Sequence, residues 1–243
     1  CFAFAAQCFD LAERFQTPVF FLSDIDIGMN DWMVDELTWD EAYVPDRGKV
    51  LSKEDLDKMD SFSRYLDVDG DHIPYRTLPG TDPKGSYFLR GSGHNKHARY
   101  TELGHEYQEV VDRLRDKVES AKHAVPKPIV RAAKTSTRYG VIAIGSSHAA
   151  VQEAQTRLET DGVGIDYMRV RGFPFADEVE AFIQAHDHVY VVEQNRDAQL
   201  LNLLLTETKV PREKLSSVLH YSGEPLNYKT VYDALMQRLK VRK

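Results

Sequence analysis

The stretch at 186–200, HDHVYVVEQNRDAQL, decides the fold of this chain. Residues 189–192 form a continuous apolar run, which is typical of a strand buried on both faces of a parallel sheet. Four polar residues follow directly at 193–196, where a strand would pass into a helix. This carboxyl edge is where open α/β sheets bind ligands and partners. A capped helix start with solvated residues gives the same pattern, so the stretch alone leaves both interpretations open.

Strand and helix patterns alternate on both sides of this stretch, across 138–243. The expected elements, in chain order, are a strand at 140–144, a helix through 150–158, a strand near 165–170, a helix through 177–183, the strand at 189–192, a helix from about 196, a strand near 218–221 and a helix through 228–239. Such alternation predicts a parallel sheet with right-handed crossovers. A linker at 126–137, which contains two prolines, precedes this domain.

The first 125 residues are less regular. A helix pattern at 2–15 is apolar on more than one side, which is typical of a buried helix, so we expect the chain to be the C-terminal part of a longer polypeptide. PVFFL at 18–22 predicts a strand, with Asp24 at its carboxyl end. Residues 31–106 carry turn dipeptides and no long periodic element, which indicates a functional or interfacial insertion. An amphipathic helix is predicted near 105–124.

Composition excludes several classes of protein. The net charge of −7 and the lack of a long basic block make nucleic acid an unexpected partner. No run approaches the roughly 18 apolar residues of a membrane span, so no membrane association is expected. The two cysteines, Cys1 and Cys8, cannot form a disulfide framework or supply the four ligands of an iron–sulfur cluster. A reducing cytoplasm is the expected compartment.

Three motifs have features of ligand or metal sites, but none of them predicts a metal site. GSSH at 145–148 lacks the dinucleotide-binding and P-loop spacings, so a helix cap is favoured over a nucleotide site. DVDGDHIPY at 67–75 alternates carboxylates like a calcium loop, but its glycine is misplaced and Leu78 stands at the twelfth position, which favours a turn. His94 and His97 have helical metal spacing without an evident third ligand.

The loop RGSGHNKHARYTE at 90–102 has a different character. Gly91 and Gly93 let the backbone approach a ligand closely. Arg90, His94 and Asn95 offer donors suited to carboxylate or phosphate groups. An exposed basic loop explains the same residues equally well. No G-x-S-x-G elbow supports a serine nucleophile.

Four segments together resemble the alpha subunit of the 2-oxoacid:ferredoxin (2-oxoacid:acceptor) oxidoreductases. They are FDLAERFQTPVFFLSDIDIGMNDWM at 9–33, DVDGDHIPYRTLPGT with YFLRGSGHNKHARYTE within 67–102, GVIAIGSSHAAV at 140–151, and RGFPFADEVEAFIQAHDHVYVVEQNRDAQL at 171–200. The resemblance implies an α/β fold in two parts. Residues 1–125 would be the rear part of a thiamine-diphosphate pyrimidine-binding domain, and 138–243 a transketolase C-terminal-like parallel-sheet domain.

The resemblance also implies an activity and its partners. This family decarboxylates a 2-oxoacid on thiamine diphosphate with magnesium, passes electrons through iron–sulfur centres to ferredoxin and releases an acyl-CoA. The family's pyrimidine-side glutamate and its carboxylate-binding arginine would lie upstream of Cys1, and the diphosphate motif belongs to the beta subunit. The fragment alone should therefore bind none of these cofactors and remain inactive, with its catalytic residues unknown.

The resemblance leaves the substrate open between 2-oxoglutarate, pyruvate and a branched 2-oxoacid. The GSGHN loop argues against a transketolase or the beta chain of a 2-oxoacid dehydrogenase. The alternative from another class is a non-catalytic α/β docking or CoA-like ligand-binding module. Asp24, Arg90, His94 and Asn95 are expected near substrate or cofactor. A second, strand-end or interface site is expected from Glu193 and Asn195, with Arg171 as the donor to Glu193.

Overall fold

The structure of the protein, a computed structural model, describes residues 1–88 and 91–241. The chain divides into two compact units. The first comprises residues 1–21 and 34–124, and the second comprises residues 22–33 and those from 125 onward. The α-helices are α1 (Phe2–Phe15), α2 (Ile25–Gly28), α3 (Lys53–Lys58), α4 (Gly104–Ser120), α5 (Ser147–Thr160), α6 (Asp177–Ala185), α7 (Gln199–Glu207) and α8 (Tyr228–Val241).

The second unit contains a five-stranded sheet with the order β1-β3-β2-β4-β5. Its strands are β1 (Ile129–Arg131), β2 (Tyr139–Ala143), β3 (Asp166–Arg169), β4 (His188–Glu193) and β5 (Leu215–Leu219). β2 pairs in parallel with β3 and β4, and β4 pairs in parallel with β5. β1 is antiparallel to β3, with Val130 opposite Met168. The α/β parallel-sheet class predicted from the sequence is confirmed.

Apolar clusters cover both faces of this sheet. On one face, Tyr190 and Val192 of β4 pack in a cluster that includes buried residues of α5 and α8. On the other face, Val189 and Val191 pack in a cluster that includes residues of α6 and α7. Successive side chains of a strand point to opposite faces, so a strand covered on both sides needs an uninterrupted apolar run. This requirement explains the sequence at 189–192.

Two local expectations are wrong. The run at 18–22 forms no strand, and Phe20 and Leu22 are exposed. A strand forms only where a partner supplies its ladder hydrogen bonds, and within the described residues no strand pairs with this run. Conversely, β1 lies inside the stretch predicted as linker at 126–137. Its register against β3, with Ile129 opposite Arg169, supplies the pairing that local sequence does not reveal.

The first unit has a small apolar core and many polar links. Its buried hydrophobic residues include Phe15, Leu51, Leu56 and Ile73. The apolar stripe of α4 is exposed, whereas Lys117 on the same helix is buried. This is the reverse of an ordinary amphipathic helix, which buries its apolar stripe, so the interior of this unit contains more polar groups than usual. The irregular character predicted for 31–106 is observed: before α4 begins at Gly104, the described residues of this range form only the short helix α3 and a 3₁₀ turn.

Candidate functional site at the carboxyl edge of the sheet

The neighbouring strands β2 and β4 send the chain to opposite faces of the sheet. The chain passes from β2 into α5 on one face and from β4 into α7 on the other. The loops at 144–146 and 194–198 therefore lie side by side at a topological switch point. Open α/β sheets bind their ligands in the crevice at such a point.

Polar side chains from three segments of the second unit meet at this edge. The Gln194 amide donates to the Ser146 hydroxyl at 2.8 Å and lies 3.3 Å from the Ser147 hydroxyl. The Asp24 carboxylate accepts from the backbone amides of Ser146 at 3.1 Å and Ile27 at 3.0 Å. Asp24 thus links the 22–33 segment to the start of α5, as a fixed internal contact.

The close approach of Asp24 requires the glycine at 145. Gly145 has φ +56°, and an added Cβ would lie 3.0 Å from an Asp24 carboxylate oxygen. Partial burial opposes ionisation of Asp24, but the hydrogen bonds from Ser146 and Ile27 outweigh it and lower the pKa of its carboxyl group. A carboxylate at this position also interacts favourably with the positive end of the α5 dipole.

Glu193 is the last residue of β4 and is only 2% exposed. Its carboxylate accepts from the backbone amides of Leu200 at 2.7 Å and Leu201 at 3.3 Å, and from the Asn195 side chain at 2.7 Å. Those two amides lie in the first turn of α7, where helical N–H groups lack intrahelical acceptors. Ala198, the N-cap residue of α7, provides no side-chain cap. Glu193 therefore caps α7 from the strand that precedes it.

The donors to Glu193 differ from the one expected. Arg171 was predicted to pair with Glu193, but the Arg171 Nε donates to the carbonyl oxygen of Lys127 at 2.7 Å. Backbone amides of α7 take the place expected for the guanidinium. Asn195 does join Glu193, and its side-chain oxygen also accepts from the amides of Asp197 at 3.0 Å and of Gln199 at 3.2 Å. Of the three expected strand-end residues, the structure brings Glu193 and Asn195 into contact.

A histidine–tyrosine pair near the same edge was not predicted from the sequence. His148, in the first turn of α5, has Nδ1 3.0 Å from the Tyr167 hydroxyl, and the two rings stack with centroids 5.7 Å apart. Burial, and then the charge of Arg169, lower the pKa of His148. Burial also raises the pKa of Tyr167. The sequence feature that could have revealed this pair is the alternation of Tyr167 and Arg169 at the end of a strand that lies beside the GSSH turn.

The predicted residues His94 and Asn95 of the first unit make contacts both inside the loop at 91–102 and with residues outside it. The His94 ring stacks on Tyr65 with centroids 4.1 Å apart. The Asn95 side-chain oxygen accepts from the amides of His97 at 3.0 Å and Arg99 at 3.2 Å, so Asn95 shapes the turn. Arg90 lies outside the described residues. The role of His94 and Asn95 near a substrate stays a prediction.

The candidate metal motifs are held by other contacts. The carboxylates of Asp67, Asp69 and Asp71 offer oxygens within 4.8 Å of one another. The Lys49 ammonium donates to Asp69 at 2.7 Å and to Asp71 at 2.6 Å. His97 Nδ1 lies 2.9 Å from the Ser63 hydroxyl. The ammonium is therefore the counter-ion of this acidic turn.

Among the described residues, no helix is both long and apolar enough to cross a membrane. No protein-family model matches the chain. The chain is 27% identical over 227 residues to 2-oxoacid:ferredoxin oxidoreductase 2, subunit alpha, of Aeropyrum pernix. The chain resembles a 2-oxoacid:ferredoxin oxidoreductase alpha subunit. The resemblance inferred from four segments is thereby confirmed over 91% of the chain, which spans 34% of that relative's length.

A solved structure supports the fold. The 2-oxoglutarate:ferredoxin oxidoreductase from Magnetococcus marinus, with 2-oxoglutarate, coenzyme A and succinyl-CoA bound, superposes with a TM-score of 0.73 and 20% identity. The match covers 95% of this chain and 39% of that one. At this identity the likeness shows a shared fold.

Proposed function

We propose that the chain is the C-terminal portion of the alpha subunit of a thiamine-diphosphate-dependent 2-oxoacid:ferredoxin oxidoreductase. The complete enzyme would oxidatively decarboxylate a 2-oxoacid, transfer the acyl group to CoA and pass the electrons to ferredoxin. The observation that carries this proposal is the similarity to the Aeropyrum pernix alpha subunit across 91% of the chain. The four matching segments in family order, and the fold shared with the Magnetococcus marinus enzyme, support it.

We propose 2-oxoglutarate as the first substrate to test, since the structural neighbour binds it together with coenzyme A and succinyl-CoA. The alternative substrates are pyruvate and a branched 2-oxoacid. We further propose that the enzyme works in the cytoplasm. These assignments concern the whole enzyme, of which this chain is one part.

The residues of this chain do not fit thiamine diphosphate by themselves. A diphosphate with magnesium needs free carboxylate or carbonyl ligands. The group of three clustered acidic residues found in the described part of the chain, Asp67, Asp69 and Asp71, is already neutralised in part by Lys49. We therefore propose that thiamine diphosphate and magnesium are shared with a beta subunit. We further propose that the iron–sulfur cluster lies in a partner subunit; the two cysteines of this chain are too few to hold one.

The residues of this chain would contribute by holding α7 and the 22–33 segment in place. Glu193 is buried and its hydrogen bonds lie within its own unit, so any effect of Glu193 on subunit assembly would act through α7. Asp24 would act similarly by fixing the 22–33 segment to α5. The loop at 91–102 is the proposed substrate- or cofactor-proximal part, with Arg90 beside it.

The activity is tested with the full-length polypeptide that carries this chain, coexpressed with the product of the adjacent reading frame. The complex should reduce ferredoxin only when a 2-oxoacid and CoA are both present. Residues 1–243 alone should show no turnover and only weak calorimetric binding of thiamine diphosphate with magnesium. Tight stoichiometric binding would contradict the shared site. A stable complex inert with all three 2-oxoacids would favour the non-catalytic docking module.

The loop is tested in the same complex. Replacing His94 with Ala should lower turnover more than it lowers thermal stability, because His94 lies in the proposed substrate-proximal loop, where stacking on Tyr65 holds its ring in place. His97→Ala, three residues along the same loop, is the matched control and should affect turnover less. Wild-type kinetics of His94→Ala with each 2-oxoacid would assign the loop to ordinary surface.

A further inference from the structure

The 34–44 segment of the first unit, VDELTWDEAYV, lies on the surface with its apolar side chains uncovered. The structure describes the whole segment, which forms neither helix nor strand. Its exposed apolar side chains are those of Val34, Leu37, Trp39 and Val44. Apolar surface left in water forgoes the main favourable term of folding and association. A contiguous apolar surface with a polar rim marks an interaction site.

Contacts with α1 hold the middle of this segment in a defined place. The Trp39 ring meets Phe2 edge-to-face with centroids 6.0 Å apart, and Tyr43 with centroids 5.3 Å apart. The Tyr43 hydroxyl donates to the Asp10 carboxylate at 2.5 Å, a hydrogen bond that raises the pKa of Tyr43 to about 12. Trp39 is nevertheless 46% exposed. A half-exposed aromatic ring that is already fixed loses little conformational entropy on binding, which suits an interface anchor.

The charges of the 34–44 segment all have one sign. The segment contains no Lys, Arg or His, and its four exposed carboxylates belong to Asp35, Glu36, Asp40 and Glu41. Among the described residues, none of these four forms an ion pair. The acidic cluster found there that could hold a metal ion lies elsewhere, at 67–71. Unpaired carboxylates around apolar side chains complement a surface on which Lys and Arg side chains surround an apolar recess.

Charge also separates the possible occupants of this surface. Nucleic acid and an anionic lipid surface would both be repelled by the four carboxylates. A second copy of the chain carries the same net charge of −7, so long-range electrostatics opposes the approach of two copies. A basic protein surface would be attracted, and one of its arginines could also stack on the exposed face of Trp39.

We propose that the 34–44 segment docks onto a basic surface of the partner subunit, with its apolar side chains in a recess rimmed by Lys and Arg side chains. The inference rests on the proposed function, in which a beta subunit completes the enzyme. Leu37 and Trp39 would be the anchors, and Asp35 and Glu36 would lie at the rim. Loss of a buried anchor mainly speeds dissociation, whereas loss of a rim charge mainly slows association.

The test measures the kinetics with which the full-length polypeptide binds the product of the adjacent reading frame. Val34→Ser and Leu37→Ser should each raise the Kd at least about fivefold, mainly through faster dissociation. Val68→Ser is the matched control, because Val68 is also exposed on the first unit, and its Kd should stay within about twofold of the parent. All three variants should keep the thermal midpoint of the parent, since they alter exposed side chains.

The rim charges are tested with two double variants. Asp35→Asn with Glu36→Gln should slow association at low ionic strength and flatten its dependence on salt. Glu54→Gln with Asp57→Asn removes the same charge from exposed positions of α3 and should have a smaller effect on both. Hydroxyl-radical oxidation of Trp39 should fall when the complex forms.

The outcomes distinguish this surface from the proposed function. If the parent and the 34–44 variants bind the partner with equal rate constants, the docking surface is overturned while the proposed function stands. A parent that does not bind the product of the adjacent reading frame would contradict the proposed function, and the inference with it. Self-association of the parent that Leu37→Ser abolishes would assign the surface to a second copy and overturn its assignment to the partner subunit.

Discussion

Replacing Glu193 with Gln should destabilise the second unit, because the carboxylate caps α7. Its two oxygens serve three donors: the amides of Leu200 and Leu201 and the side chain of Asn195. In the amide, one oxygen becomes an NH₂ group that cannot accept a hydrogen bond. The least disruptive orientation directs this group at Leu201, whose contact is the longest, at 3.3 Å.

Two terms set the size of the effect. Leaving one buried N–H without an acceptor costs about 1–3 kcal/mol. Losing a negative charge at a helix N-terminus costs about 0.5–2 kcal/mol when the geometry is buried. The two ranges sum to about 1.5–5 kcal/mol, and we expect the free energy of unfolding to fall by about 2–4 kcal/mol, the middle of that range, out of about 5–15 kcal/mol for an ordinary domain. The unit should remain folded at 25 °C.

The assay is urea unfolding together with amide hydrogen exchange. Exchange at Leu200 and Leu201 should accelerate roughly 30- to 700-fold, since every 1.4 kcal/mol is about tenfold in an equilibrium constant. Glu207→Gln removes the same charge from the exposed C-terminal end of α7 and should change stability by less than about 0.5 kcal/mol. If the two variants unfold at the same urea concentration, the capping role of Glu193 is refuted.

Three further predictions concern Asp24, Lys49 and Arg169. Asp24→Asn should lower stability by about 0.5–1 kcal/mol at pH 7, a value reduced for exposure. The folded state lowers the pKa of Asp24 from 3.8, so its stabilising contribution is present above that pH and is lost as the pH falls through the folded-state pKa. The stabilities of parent and variant should therefore converge in acid unfolding curves, and a constant difference between them contradicts this prediction. Lys49→Met should destabilise the acidic turn by about 0.5–1 kcal/mol. Calcium should restore the thermal midpoint of this variant and leave the thermal midpoint of the parent unchanged; a variant whose midpoint does not respond to calcium contradicts the counter-ion role of Lys49. Arg169→Met should raise the pKa of His148 in an NMR titration, since Arg169 helps to lower it, whereas the exposed Arg157→Met should not; equal His148 titrations in both would rule this out.

The helices and strands of the second unit could be predicted because the pattern of apolar residues within each segment shows which faces are buried. Burial on both faces requires the apolar run of β4, and burial on one face requires the helical stripes of α5 and α8. The three-residue strand β1 could not be predicted, since its stability comes from pairing with β3, 38 residues further on at Val130 and Met168. The same reasoning explains the error at 18–22, where an apolar run alone does not specify a partner.

The candidate site was predictable in position but not in its contacts. The apolar run predicted that β4 ends near Glu193 and Asn195, as the structure shows, while their role as a site stays a prediction. The donors to Glu193 are backbone amides of Leu200 and Leu201, residues that signal only an apolar helix face in the sequence. The Asp24 contact joins residues 122 positions apart and depends on the left-handed conformation of Gly145. Neither interaction leaves a local pattern.

These two carboxylates bear on what the switch point can bind. Helix N-termini at such an edge ordinarily attract phosphate through free amides and the positive end of the dipole. Here Asp24 accepts from an amide at the start of α5, and Glu193 accepts from two amides at the start of α7. An incoming phosphate would meet a carboxylate at both positions. The edge is therefore built to fix the 22–33 segment and α7 in place, which disfavours a nucleotide site at the GSSH turn. The helix cap expected from this turn is wrong in its acceptor, because Ser146 makes no side-chain capping hydrogen bond and Asp24 supplies the carboxylate instead.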